Sequence, residues 1–314
     1  MVDIKEVAEN IFLIDNELYS IPKWGSVYLI NEEKKALVDT GPATSVNAVL
    51  NGIKKTGIDP EDIDYVIVTH IHLDHAGGAG ELIKYMPRAQ VIVHDKGARH
   101  LINPERLVKS FASTMGERMM QKTGPVAPID EEKVVPVSGD EVFKLGERQS
   151  LRVLHVSGHA PHQLCILESR NNGLFSGDAI GISVAEGKVL MPATPPPGFD
   201  LKLYLSTLQK LMGLDANLIY FGHFGATDRV RESIQTAMDK LQAWNTIISR
   251  AFVEKGFEAA FKRIRAQLYS ELEPAKESET LYQYLANGIV AMNIIGLLKH
   301  FQDKKVLSQK VARA

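Results

Sequence analysis

The chain has 314 residues, a formal net charge of −2 and 45% hydrophobic residues, enough apolar material for a large buried core. No basic tract exceeds the Lys54-Lys55 and Lys304-Lys305 pairs, so the composition argues against a nucleic-acid partner. The single cysteine, Cys165, excludes an intrachain disulfide. Its neighbours Leu164, Ile166 and Leu167 predict a buried strand position for it. Residues 1–6 have neither the basic start nor the apolar stretch of a signal peptide. The longest apolar segment, 289–298, contains Asn293 and Gly296 and reads as too short to span a bilayer. A cytoplasmic protein with no membrane partner is expected.

In chain order, short β signals alternate with helical ones, which predicts an α/β fold. Strands are expected at 11–14, 26–30, 36–38, 65–68 and 90–93, with helices at 46–55 and 80–85 between them. Asp59-Pro60-Glu61-Asp62 is a helix-start or turn signal. Residues 96–130 are rich in helix formers, with Leu101, Leu107, Phe111, Met115 and Met119 near helical spacing. Two readings stand for them: a lid or pocket wall, or a helical excursion packed on the body. A second strand series is expected at 133–137, 150–156, 163–167 and 174–175. The loop 191–200 holds four prolines, which stiffen it, and it either lines a pocket with Met191 or Phe199 or simply connects. After residue 226 the chain reads as helical. One apolar stripe runs through Val230, Ile234, Met238, Leu241, Trp244 and Ile248, another through Leu281, Leu285, Ile289, Met292, Ile295 and Leu298. Most of this surface is expected as intrachain core, with a homodimer interface or a tunnel wall as alternatives.

The run Thr69-His70-Ile71-His72-Leu73-Asp74-His75-Ala76-Gly77-Gly78 places four metal-binding side chains within six positions after a strand. On an extended segment residues i and i+2 point the same way, so His70 and His72 can grip one cation. Asp74 and His75 follow where the chain turns toward a helix and can reach a second. Imidazole and carboxylate suit zinc, iron or manganese, unlike the thiolate-rich sets of structural zinc. Three later strands end in a glycine followed by a ligand-type residue: Gly158-His159, Gly177-Asp178 and Gly222-His223.

This order of motifs, preceded by Leu37-Val38-Asp39-Thr40-Gly41, resembles the metallo-β-lactamase superfamily over roughly residues 10–225. The resemblance implies a four-layer αβ/βα sandwich with the site at one rim. It divides the chain into a catalytic domain, 1–230, with a helical insertion at about 96–130, and a C-terminal helical extension, 231–314. It implies that His70, His72 and His159 hold one ion, that Asp74, His75 and His223 hold a second, and that Asp178 bridges them. Asp39 would orient a ligand or the loop beneath the ions. Two divalent ions are expected, zinc first, with iron or manganese as alternatives.

The activity so implied is hydrolysis of a small ester, lactone or thioester by a hydroxide shared between two ions, with Asp74 protonating the leaving group. The stretch from Gly198-Phe199-Asp200 to His223 is similar to acyl-homoserine lactonases. Those enzymes place a tyrosine three residues after the bridging aspartate, where this chain has Gly181. The rival readings are a phosphodiesterase or nuclease on the same ions and, further off, a di-iron oxidoreductase. The latter would carry a glutamate where His72 stands and an appended flavodoxin domain. His94, His155 and His162 are open between site and structural roles, and His100 and His300 carry no stronger signal.

Overall fold

The structure, a computed structural model, describes residues 3–254 and 257–311. Seven strands form the first sheet in sequence order: β1 (Ile4–Ala8), β2 (Ile11–Asp15), β3 (Ser26–Ile30), β4 (Lys35–Val38), β5 (Ile63–Ile67), β6 (Gln90–His94) and β7 (Val134–Val137). The first four pair antiparallel, and β4 to β7 run parallel. Parallel neighbours need crossovers. These are α1 (Val46–Lys55) after β4, then α2 (Leu73–Ala76) and α3 (Ala79–Leu82) after β5. After β6 come α4 (Asp95–Ile102), α5 (Glu105–Met115) and α6 (Glu117–Thr123). The second sheet begins with β8 (Val142–Lys144), β9 (Ser150–Val156), β10 (Gln163–Glu168) and β11 (Gly173–Gly177). A hairpin of β12 (Ile182–Val184) and β13 (Val189–Met191) follows. Helix α7 (Leu201–Met212) then leads back to β14 (Leu218–Phe221), parallel to β11, and β15 (Ala226–Thr227) closes the edge.

Period-2 alternation sorts the side chains into layers. On β3, Val27 and Leu29 pack toward α1–α4, while Tyr28 and Ile30 meet the second sheet. On β10, Leu164 and Ile166 meet the first sheet, and Cys165, fully buried, packs on the other side toward the C-terminal helices. Both sheets are therefore covered on both faces, which gives the four layers α/β/β/α. Residues 133–137 do not open the second strand series as expected. They form β7 at the edge of the first sheet, because the long helical crossover α4–α6 returns the chain parallel to β6. The second sheet starts only after the turn at Gly139 and Asp140, both at positive φ. The helical excursion breaks at Pro104 and Gly116, so its apolar residues divide. Leu101 enters the core, whereas α5 buries no residue and presents Leu107, Phe111 and Met115 to a pocket.

The C-terminal helices are α8 (Val230–Glu254), α9 (Phe257–Glu271), α10 (Glu279–Gln283), a π-helical turn at Tyr284–Ile289, and α11 (Val290–Val311). Ile234, Leu241, Trp244 and Ile248 of α8 pack in one cluster with Leu174, Ile219 and Phe221 of the second sheet, along the expected stripe. The second stripe departs from expectation. A π turn takes up one residue more than an α turn, so it rotates everything beyond it. The buried positions after it include Val290, Asn293, Ile294, Leu297 and His300, while Ile295 is 48% exposed. The segment expected to be too short to span a bilayer is also longer than it looked. Residues Glu279–Asp303 form one helical run that by length and composition alone could cross a membrane, and 56% of its most apolar window is buried within the protein. Asn293 does not interrupt it, because its amide is satisfied by tertiary partners.

This rotated register has a measurable consequence. Leu297→Ala should cost about 2–5 kcal/mol, as a deleted core leucine does. Ile295→Lys should stay within about 0.5 kcal/mol of wild type. Urea unfolding of the two variants checks this, and a reversed ranking would contradict the π-shifted packing.

Candidate metal centre

Every candidate ligand sits just past the C-terminal end of a strand, and the strands bring them to one rim. His70, His72, Asp74 and His75 follow β5, His159 follows β9, Asp178 follows β11 and His223 follows β14. The glycines before them act as expected, by two different means. Gly158 takes φ +121, and a Cβ there would lie 2.2 Å from the Tyr204 nitrogen. Gly222 has no unusual φ, but a Cβ would come within 2.9 Å of the His75 ring.

The first group is His70, His72 and His159. The His70 Nε2 and His72 Nδ1 atoms are 2.9 Å apart, and His159 Nε2 lies 3.3 Å and 3.0 Å from them. Three nitrogens bound to zinc at about 2.0–2.1 Å in a tetrahedron would be about 3.3–3.4 Å apart. Burial first, then the neighbouring histidines, holds His70 well below the ordinary imidazole range and pushes His72 down to about 3. His159 is lowered by burial in spite of Asp178. In each case the shift favours the uncharged imidazole. His159 Nδ1 donates to the Ala193 carbonyl at 2.9 Å, so its Nε2 turns a lone pair into the group.

The second group is Asp74, His75 and His223. Its orientation starts from Asp39, which lies immediately after β4 with φ +61, a left-handed conformation uncommon for a residue with a side chain. The Asp39 carboxylate accepts from Thr69 N at 2.7 Å and from Thr69 Oγ1 at 2.9 Å, and His75 Nδ1 lies 2.9 Å from its Oδ2. His75 Nε2 therefore faces the site. Burial opposes a charge on His75, but Asp178, Asp74 and Asp39 outweigh it and lift its pKa to about 10. The field that favours a proton there favours any cation. His223 Nδ1 lies 3.3 Å from the Trp24 carbonyl, and the Trp24 ring stacks on His223 with centroids 4.3 Å apart.

Asp178 stands between the groups. Its Oδ1 lies 3.4 Å from His75 Nε2 and 3.6 Å from His223 Nε2, and its Oδ2 lies 3.5 Å from His159 Nε2. Burial raises its pKa, yet His75, His223 and His159 together hold it far below the carboxylate range. Asp178 Oδ1 and His75 Nε2 are both buried without a hydrogen-bond partner. Such orphans are costly, and a cation satisfies them. The residues thus fit divalent ions in number, donor type and orientation. Among the described residues the ligand atoms of each of three sets, His70/His72/His159, His70/His75/Asp178 and Asp74/His75/His223, lie within 4.8 Å of one another.

A pocket of about 800 Å³, its open mouth included, leads to these residues and is touched by His72, Asp74, His159, Asp178 and His223. Its walls come from α5, from Pro195-Pro196-Pro197, and from Tyr284, Ile289 and Met292 of the C-terminal helices. Met191 and Phe199 are not among its lining residues. Both are buried in the core, where Phe199 meets Tyr204 and His300. The sequence reading missed Tyr19 and Trp24, which also line it. They sit on a loop whose Glu17, Tyr19, Ser20 and Lys23, none of them glycine, all have positive φ. Asp15 organises that loop by accepting from Glu17 N and Lys23 N, although burial raises its own pKa to about 6. Gly181 takes φ +110, and a Cβ would lie 2.4 Å from the Met191 carbonyl oxygen, so no side chain can reach the pocket from there.

The remaining histidines separate cleanly. His162 accepts weakly from Ile71 N at 3.4 Å and lies parallel to His70, ring centroids 6.3 Å apart. His94 caps α4 by accepting from Lys96 N and packs on His155, which is linked to Pro161 and Ser157.

Known proteins are similar to this chain in sequence and fold. The profile of the metallo-β-lactamase superfamily matches residues 24–223. The metallo-β-lactamase fold-containing protein ST1585 of Sulfurisphaera tokodaii is 30% identical over 208 residues, 65% of this chain and 74% of that protein. An N-acyl homoserine lactonase from a Bacillus species is 28% identical over 245 residues, 68% of this chain and 86% of its own. The crystal structure of the metallo-β-lactamase family protein TTHA1429 from Thermus thermophilus superposes with a TM-score of 0.66 at 18% identity, covering 96% of this chain and 95% of that one. With the fold, the rim position of the histidines and these matches in agreement, the chain belongs to the metallo-β-lactamase superfamily, whose members are generally hydrolases.

Proposed function

We propose that this chain is a dinuclear metal-dependent hydrolase of a small, partly apolar carboxylic ester or lactone. The observation that carries the reading is Asp178, whose two oxygens face two separate histidine groups while one of them lacks a hydrogen-bond partner. His70, His72 and His159 would hold one divalent ion, Asp74, His75 and His223 the other, and Asp178 would join both. Zinc suits the imidazole and carboxylate donors, as do iron and manganese. Ions so placed lower the pKa of a coordinated water to about 7 and polarise the substrate oxygen.

The rest falls to the chain's own groups. Asp39 and the carbonyls of Ala193 and Trp24 fix the ring orientations. Asp74, with 22% of its side chain exposed, is the site carboxylate most open to the pocket, and we assign it the proton delivered to the leaving group. Trp24, Leu107, Phe111, Ile182, Ile289 and Met292 form an apolar wall for the acyl part of the substrate. No lysine or arginine lines the pocket among the described residues, which weighs against a phosphodiester. The lactonase among the relatives supports a lactone.

Elemental analysis of protein purified without chelator should approach two metal equivalents per chain. A steady value of one, unmoved by added zinc, manganese or iron, would refute the dinuclear reading.

Asp178→Ala should lose both metal and activity, and lose more of each than His162→Ala. The latter touches the Ile71 nitrogen and no ligand atom, so its loss should stay in the range of about 10–100-fold typical of supporting groups. A His162 variant that is the less active of the two while retaining both metals reverses the assignment.

Substrate class is decided by kinetics side by side. A lactone or activated ester with an apolar acyl chain should have a higher kcat/KM than bis-p-nitrophenyl phosphate, and Phe111→Asp should reduce the former. A hundredfold preference for the phosphodiester would end the ester reading.

A further inference from the structure

The Ala193 carbonyl decides which nitrogen of His159 turns toward the first histidine group. The residues on either side of Ala193 are gripped by one side chain of the C-terminal helix α11. Asn293 Nδ2 donates to the Pro192 carbonyl at 2.8 Å. Asn293 Oδ1 accepts from Thr194 N at 2.6 Å and from Thr194 Oγ1 at 2.9 Å. Asn293, Thr194 and Ala193 are all 0% exposed. A carboxamide this deep is costly unless its donors and acceptors are met, and here the loop backbone meets them. One turn further along, a Cβ on Gly296 would fall 1.7 Å from the Thr194 carbonyl oxygen, so helix and loop touch backbone to backbone. An apolar residue would fill the space beside the loop but could not specify where the peptide carbonyls point. The amide does, because its two ends bind residues 192 and 194 at once.

We propose that Asn293 is a positioning residue for the first cation site. It acts through Pro192 and Thr194 on the Ala193 carbonyl, and through that carbonyl on the His159 ring. The inference rests on the reading of His70, His72 and His159 as a cation site. It ties the helical extension to the metal centre by hydrogen bonds, separately from its contribution to the pocket wall. The second group is oriented from elsewhere, by Asp39 and the Trp24 carbonyl. Loss of Asn293 should therefore weaken one site and spare the other.

The test titrates the metal-free full-length chain with cobalt(II) chloride, following the visible absorption bands of the bound ion, and records the Tm of the metal-free protein in parallel. Asn293→Ala should weaken one of the two cobalt affinities by about 10–100-fold, the cost expected for a lost supporting partner, and leave the other unchanged. Thr194→Val, which removes the hydroxyl bond but keeps the backbone one, should weaken the same step by less. It decides the matter if Asn293→Ala does not fold. Leu297→Ala, a buried position on the same helix outside the loop contact, should lower Tm without moving either affinity. If Asn293→Ala lowers Tm as Leu297→Ala does and leaves both affinities at wild type, or weakens both equally, Asn293 is structural only and the inference is overturned alone. If the wild-type chain takes up no cobalt, the metal reading falls and takes this inference with it.

Discussion

The structure depends on bringing a carboxylate and five imidazoles into a buried space where their polar atoms cannot satisfy one another. The ring nitrogens of His70, His72 and His159 converge at 2.9–3.3 Å, and Asp178 keeps an oxygen with no hydrogen-bond partner. In a low-dielectric interior such a cluster is unfavourable by itself. That cost shows in the shifts: burial pushes His72 down to about 3, while Asp178, Asp74 and Asp39 raise His75 to about 10 against burial. The divalent ions of the proposed function would relieve all of it. The surrounding fold makes physical sense as a frame that holds these groups together against their own repulsion.

That frame is built from strand ends. Four strands from two sheets deliver the candidate ligands, which are secured by contacts with residues outside the cluster. Asp39 holds Thr69 and His75, and Ser26 Oγ donates to the His223 carbonyl. Tyr204 Oη donates to the Asp178 carbonyl. Each ties together residues far apart in sequence, so an error in one packing layer would reach the centre. The same economy shapes the pocket. Its floor is the rim of the sandwich, and its walls come from Tyr19 and Trp24, the prolines 195–197, the insertion α5 and the C-terminal helices. The candidate ligands and most of the pocket wall are thus supplied by different segments. A shared scaffold with variable walls is how one fold comes to serve many substrates.

The walls also show how a local irregularity redirects a surface. The π turn at Tyr284–Ile289 puts Tyr284 against Trp24, with centroids 5.5 Å apart, and Tyr19, at 6.2 Å. It also rotates α11 so that Asn293 and Gly296 meet the loop 192–195. A regular α-helix would have placed Ile295 inward in their stead. The exposed Ile295 is the visible trace of that trade.

Much of this was legible in the amino-acid sequence, for reasons that are local. The strands 26–30 and 163–168 announce themselves by the apolar runs 27–30 and 164–167, because strands covered on both faces need no polar alternation. His70 and His72 could be paired because side chains two apart on an extended segment share a face. The glycine before each of His159, Asp178 and His223 marked a turn that ordinary residues cannot make or would crowd. What only tertiary structure decided is whatever depends on a partner distant in the chain or on a backbone state without a residue signature. The placement of β7 in the first sheet depended on the path of three helices. The loop of Tyr19 and Trp24 adopts positive φ at residues that rarely take it, held there by Asp15 and by packing. The inward register of α11 depended on a single π turn. Asn293 read in the sequence as a polar break in a greasy helix, and its meaning came from Thr194, 99 residues away.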